Sequence, residues 1–472
     1  MFKAIAICLG NLFLSAVLVS AAPTVSTIED QSAVEVTVYN SNIGLVKDTR
    51  RLHLAAGNGE LRFMDVAANI LPYTVHIQPL QGGLSVLEQN YEYDLMDPNK
   101  LLDKYVGKTV KLLTVNDYQG KKETVEATLL SNNNGPIFKI QNEIHLGHPG
   151  YRILPEIPEN LIAKPTLTWL YENKNPPPQN VQVSYLTQNI SWRADYVVVV
   201  DQNDTSANLS GWVTLDNRSG ATYKDAKLKL VAGQVNRVQQ PGMAEFAYAQ
   251  DALSSRSAGA NQFQEQSFFE YHIYDLQRKT TIKDNQTKQV SLLDADNIRI
   301  EKEYLVMGHQ NYFYNVNPTG APIKSPVNVF LKFKNSKENR LGMPLPAGTM
   351  RLYKEDGQKS LQFIGEDAIH HTPKDESVEL KIGEAFDVVA ERLQTDYQVR
   401  GRNFETEWEV TVRNHKDSGI KVGLVEPASG DWKVLSSSHP YKKADANTLR
   451  FDVDVPKDQE IKVKYRILVQ GA

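Results

Sequence analysis

The chain has 472 residues, 41% of them hydrophobic and 23% charged, with 52 Lys and Arg against 56 Asp and Glu for a net charge of −4. These values fit a globular protein of about three domains and exclude a strongly basic nucleic-acid binder, a collagen-like chain and a mainly disordered one. A single Cys excludes a disulfide framework and a thiolate zinc site.

Met1-Phe2-Lys3 precedes an apolar run from Ala4 to Val19, and Ser20-Ala21-Ala22-Pro23 follows. A basic start, an apolar stretch and a small-residue end read as a signal peptide over residues 1–21, cleaved after Ala21. The run is short for a membrane span of about 20 residues and carries Asn11 and Ser15. Cys8 lies within this segment, ahead of most of the apolar run, so it is not a lipoprotein cysteine and the mature chain holds none. The expectation is an exported protein, periplasmic or at the cell surface, and not integral to the membrane after cleavage. Five Asn-x-Ser/Thr sites (Asn189, Asn203, Asn208, Asn217, Asn285) matter only in a eukaryotic secretory pathway.

Apolar residues then alternate with polar ones along most of the chain. Val34, Val36 and Val38 share one strand face, as do Val181, Val183 and Tyr185. The pattern returns at Val327 to Phe333, Val378 to Ile382, Trp408 to Val412, and most clearly at Ile461, Val463, Tyr465, Ile467 and Val469. A period of two in β-branched and aromatic residues specifies strands with one buried face. Turn signals such as Ala56-Gly57-Asn58-Gly59 and Asp356-Gly357 separate them. One helix is expected, with Asp97-Pro98 at its start, Leu101, Leu102 and Tyr105 as its apolar stripe and Gly107 at its end.

The fold class read from this pattern is all-β, built of several β-sandwiches. An N-terminal β-domain spans 24–163 and carries a small SH3-like barrel at about 101–154. A central β-sandwich spans 164–400 and contains a mobile loop at 239–266, a stretch rich in Gln, Ala, Ser and Gly with little strand pattern. Pro176-Pro177-Pro178 marks an extended connector near its start. An immunoglobulin-like sandwich closes the chain over 401–472.

No phosphate-binding glycine loop, His-Glu-x-x-His or Gly-x-Ser-x-Gly motif occurs. His145 and His148 have metal-ligand spacing but no nearby third ligand, so they read as turn histidines. His370 and His371 are adjacent, which on a strand sends them to opposite faces. Asp294, Asp296 and Asn297 lack the glycine and distal Glu of a calcium loop and read as turn residues. Glu270 and His272 share a strand face that Asp275 does not, and no nucleophile is apparent beside them. Trp192 and Trp408 sit in strand patterns and read as core. The sequence therefore assigns no catalytic, cofactor-binding or metal residue.

From about Pro165 onward the chain resembles a bacterial domain family of unknown function found as the C-terminal part of mucoidy-inhibitor-A-like proteins. The resemblance is carried by Ile190-Ser191-Trp192-Arg193-Ala194-Asp195-Tyr196, by Leu215-Asp216-Asn217-Arg218-Ser219-Gly220 leading to Leu230-Val231-Ala232-Gly233, by Tyr271-His272-Ile273-Tyr274-Asp275-Leu276, and by Gly430-Asp431-Trp432. Tyr223 stands where relatives often carry Trp. The resemblance implies an all-β exported protein and supplies no catalytic residue. Two functions remain open: a non-enzymatic cell-envelope binding or scaffold protein with a protein or glycan partner, and a carbohydrate-binding or carbohydrate-active protein using carboxylates and aromatics. A cleft lined by two carboxylates and an exposed Trp would favour the second.

Overall fold

The computed structural model describes residues 23–92, 97–116, 121–156, 164–175, 178–233, 235–236, 262–268, 271–317 and 320–470. The proposed signal peptide, and most of the proposed loop at 239–266, lie outside them. Among the described residues the architecture is nearly all-β and made of many sheets, none of them a closed barrel. Two compact units result: Met1–Glu35, Leu45–Gln188 and Ser219–Lys224 form one, and Val36–Gly44, Asn189–Arg218 and Asp225–Ala472 the other.

In the first unit a four-stranded sheet has the order Thr24–Ser26, Gly57–Met64, Thr166–Asn173, Leu84–Glu92. Its buried face carries Leu61, Phe63, Leu167, Trp169 and Tyr171, with the Phe63 and Trp169 rings 5.2 Å apart. Arg50 is fully buried against this core. Its guanidinium lies 3.6 Å from the Phe63 ring centroid, donates to Asp48 at 2.8 Å, and reaches the carbonyls of Ser26 and Met64. A buried cation is tolerable when its charge and its donors are all matched in this way.

The same unit contains the small module expected at 101–154. Asp97 caps the helix Pro98–Asp103 by accepting from the backbone N–H groups of Asn99 and Lys100. The helix is shorter than its sequence signals suggest, and turns carry the chain on to Gly107. Five antiparallel strands follow in the order Glu143–Leu146, Ile137–Ile140, Lys121–Ser131, Thr109–Asn116, Tyr151–Ile153. Leu102, Tyr105, Val110, Leu112, Ala127, Leu129 and Phe138 form its separate core. The sheet ends in two edge strands, so the barrel expectation holds in size and strand content and fails in closure.

In the second unit a five-stranded sheet has the order Gln286–Arg299, Ser206–Asn217, Ile190–Val200, Gly348–Glu355, Leu361–Ile369. Ile190–Val200 and Gly348–Glu355 run parallel, and the backbone at Gly348 passes so close to the Ala194 carbonyl that a Cβ there would collide with it. Trp192, Ala194, Tyr196 and Val198 fill the buried face. Trp192 packs edge-on to Tyr274 at 6.1 Å and donates to the Val231 carbonyl, so the ribbon Phe263–Phe268, Tyr271–Leu276, Tyr223–Ala232 lies against this face. Phe263–Phe268 is thus a strand where the sequence suggests the end of a loop, because Phe263 and Leu276 pair across it in the core.

The C-terminal sandwich packs a six-stranded sheet against a five-stranded one. The first runs Ser377–Glu384, Val327–Lys334, Glu301–Met307, Ile420–Pro427, Thr448–Val455, Tyr441–Asp445, and the second Ile323–Ser325, Val388–Arg400, Asn403–Asn414, Gln459–Gln470, Asp431–Ser437. One core joins Tyr304, Val306, Phe313 and Val327 to Trp408, Val410, Phe451, Val463 and Ile467. Gly401, at φ +63°, is the turn of the hairpin Val388–Arg400/Asn403–Asn414, so strands on both sides of it belong to one sheet. Glycine is favoured there because a left-handed φ costs it little.

Arg392 and Glu426 form an ion pair with both side chains 0% exposed and Nη1 to Oε1 at 2.6 Å. Arg392 Nε also donates to Ser325 Oγ at 3.0 Å. Burial pushes the Glu426 carboxyl up, against the opposing charge and hydrogen bond of Arg392. Removing one partner strands the other in the core. Arg392→Met is expected to cost roughly 3–5 kcal/mol and Arg392→Met/Glu426→Leu clearly less; urea denaturation of both variants beside the parent checks this, and equal losses would mean the pair is not what the core requires.

Gln459–Gln470 pairs on both edges, so it is an interior strand, with Val463 fully buried and Lys464 paired outward to Glu407 at 2.7 Å. Val463→Asp should destabilise by several kcal/mol. Lys464→Gln should change stability by no more than about 1 kcal/mol. Denaturation midpoints of the two variants test the assignment of faces.

Candidate functional site

The structure distributes the sequence candidates unevenly. His145 lies on an edge strand with its Nε2 3.6 Å from Glu143, while His148 accepts from the Gly150 N–H through Nδ1. The two serve different local roles. Asp294, Asp296 and Asn297 are not at a turn. They lie within Gln286–Arg299, where the register shifts against the neighbouring strand and Asn297 takes a left-handed φ of 54°. A bulge needs the same residue types as a turn, which is why the sequence suggested one. Among the described residues no group of three or more His, Cys, Asp or Glu could hold a metal ion. Trp192 and Trp408 are core residues, as expected.

Glu270 lies outside the described residues. His272 and Asp275 face apart: Asp275 pairs with Lys227 at 3.6 Å, and His272 Nδ1 meets Glu265 Oε1 at 2.9 Å across the ribbon. Ser267 stands opposite His272 in the register. The sequence reading missed both Glu265 and Ser267, because the pairing of these strands is set by tertiary contacts. His371 joins the same neighbourhood. Its Nδ1 accepts from the Ala347 N–H at 2.9 Å, which fixes the neutral ring with its proton on Nε2. Burial, then the fields of His272 and His370, push the His371 pKa down to about 4.

A second arrangement occupies the outer face of the five-stranded sheet. Val213 and Leu215 are buried, and alternation turns Trp212 and Thr214 towards the other side. Trp212 is 40% exposed, whereas Trp169, Trp192, Trp408 and Trp432 are all buried. Across the strands Trp212 faces Asp195 on one side and Ser291 on the other. Asp195 accepts from Thr214 Oγ1 at 2.7 Å and Arg351 Nη1 at 3.1 Å, and lies 3.3 Å from Arg193 Nε. Gln289 Nε2 donates to Thr214 Oγ1 at 3.1 Å, and Arg351 also pairs with Glu366 at 3.2 Å. Partial burial opposes ionisation of Asp195, but the bonds from Thr214 and Arg351 and the charge of Arg193 hold its carboxyl below the usual carboxylate range. The exposed indole therefore sits in a fixed polar lattice. Tyr353 and Phe363, edge-on at 5.7 Å, mark another part of this face.

The lowered His371 pKa makes stability depend on pH with a defined sign. The unfolded chain binds the proton near pH 6.5 and the folded chain only near 4, so acid favours unfolding in that window. Stability is complete above about pH 6.5 and falls by on the order of 3 kcal/mol through pH 4. In His371→Asn the amide oxygen replaces Nδ1 as acceptor, so this part of the loss should vanish. Chemical denaturation at pH 7 and pH 4 checks it, and parallel slopes in parent and variant would refute it.

Among the described residues no helix is long and apolar enough to cross a membrane. No curated protein matches the chain. Residues 181–470, more than half of the sequence, match the family described as Domain of unknown function (DUF4139), which takes in the lattice around Trp212, the His272 and His371 cluster and the whole C-terminal sandwich. The chain belongs to that family.

Proposed function

We propose that this protein is an exported, non-enzymatic binding or scaffold protein of the cell envelope. The observation that carries the reading is the outer face around Trp212. Its carboxylate beside the indole, Asp195, is tied to Thr214, Arg351 and Arg193, and Arg351 neutralises Glu366. A glycosidase needs one carboxyl held protonated beside a substrate groove. Asp195 is shifted the other way, and Glu426, whose carboxyl burial does push up, is sealed in the C-terminal core. A rigid, charge-matched surface with one exposed aromatic is suited to recognition. The basic-apolar-small order of the first 22 residues supports export, and the resemblance to the C-terminal part of mucoidy-inhibitor-A-like proteins supports an envelope setting.

Protein recovered from a secreting host should begin at Ala22 by N-terminal sequencing and should sediment with isolated envelope fractions. Trp212→Ala should lose that sedimentation while keeping its thermal midpoint. A retained Met1 would overturn the compartment, and undiminished sedimentation of the variant would overturn the surface.

A further inference from the structure

We propose that the outer face of the five-stranded sheet binds a neutral polysaccharide chain, with Trp212 as the stacking platform for one sugar ring. The inference rests on the binding role given above and names its ligand class.

The register decides which groups surround the indole. Thr214 follows Trp212 on the same face of its strand, and the residues opposite Thr214 are Gln289 on one neighbouring strand and Arg193 on the other. Diagonal neighbours in a sheet lie about 7–8 Å apart, within reach of long side chains. An amide and a guanidinium thus flank the exposed indole from two sides. Each is oriented by a bond it already makes, Gln289 to Thr214 and Arg193 to Asp195. Gln289 Oε1 accepts no hydrogen bond among the described residues. Sugars present an apolar C–H face and a rim of hydroxyls. The indole matches the first, and the Gln289 amide and the Arg193 guanidinium match the second.

Charge selects against an acidic chain. The cations Arg193 and Arg351 are already balanced by Asp195 and Glu366, Asp216 pairs with Arg218 at 3.4 Å, and Asp294 lies on the same face. Beside the indole, a bound carboxylate or sulfate would find both cations, Arg193 and Arg351, already engaged by carboxylates. A chain rather than a single sugar is indicated by the second aromatic site. Val199 is four residues beyond Asp195 and pairs with Tyr353, which pairs in turn with Phe363. At about 3.3 Å per residue and 4.8 Å per strand, Tyr353 lies on the order of 15 Å from Trp212. That interval is several sugar units long. Phe363 and Leu361 remain more than half exposed at this end.

The test is affinity electrophoresis of the mature protein in gels containing neutral glucans or galactans, with an acidic polysaccharide in parallel, read beside Trp fluorescence. With four of the five Trp buried, a spectral change on binding reports on Trp212. The expected result is retardation by at least one neutral polysaccharide, an emission shift, and affinity losses of roughly tenfold for Trp212→Ala and less for Tyr353→Ala, with unchanged thermal midpoints. Stronger retardation by the acidic polysaccharide would overturn the neutral assignment, and full binding by Trp212→Ala would overturn the site. If no polysaccharide retards the protein while Trp212→Ala still loses envelope sedimentation, the partner is a protein: the glycan proposal falls and the binding role stands.

Discussion

In this molecule sheet must cover sheet. Among the described residues the only α-helix is Pro98–Asp103, too short to shield more than the small core beneath it. Each larger sheet has one apolar face that must leave water, and another sheet is what remains to cover it. The Trp192 face is closed by the ribbon bearing Tyr274, and the Trp408 face by the strands bearing Val422, Leu424 and Phe451. Two arginines are caught inside by this arrangement, Arg50 and Arg392, and both are matched by a carboxylate within hydrogen-bond distance. Such pairs do little for net stability compared with apolar packing, yet they penalise any register that separates the partners.

The covered face leaves the opposite face as the surface on which function is written. On the five-stranded sheet that face is held by bonds running sideways from Gln289 through Thr214 and Asp195 to Arg351 and Glu366. Side chains so restrained lose little further rotamer freedom when a ligand arrives, which favours recognition. The His272 and His371 cluster is different in kind. It is partly buried, and burial together with the Ala347 N–H keeps the His371 ring neutral, so its effect is on stability in acid.

Much of the fold is legible in the sequence because a strand with one wet face writes its parity into every second residue. Val463 and Lys464 are placed correctly from alternation alone. The helix start is legible from Asp97-Pro98, but its length is not, since the apolar stripe at Leu102 and Tyr105 serves a turn as well as a helix. Asn297 and Gly401 mislead for one reason: left-handed residues mark bulges and hairpin tips as readily as boundaries. The outward position of Trp212 follows from the parity of Val213 and Leu215, so that part of the candidate site was present in the sequence. The meeting of His272 with Glu265, and of His371 with His272, depends on which strands become neighbours, and no local pattern encodes that.

Two parallel pairings between distant segments bear on how such a chain acquires its structure. Ile190–Val200 waits for Gly348–Glu355, about 150 residues later, and Glu301–Met307 for Ile420–Pro427, about 120 residues later. Closing loops of this length costs entropy before any of the pairing is gained, and chains dominated by such distant contacts fold slowly. Until Gly348–Glu355 and Ile420–Pro427 have been synthesised, the edges of Ile190–Val200 and Glu301–Met307 have no native partner on one side. During that interval they are the segments most exposed to pairing with another nascent chain.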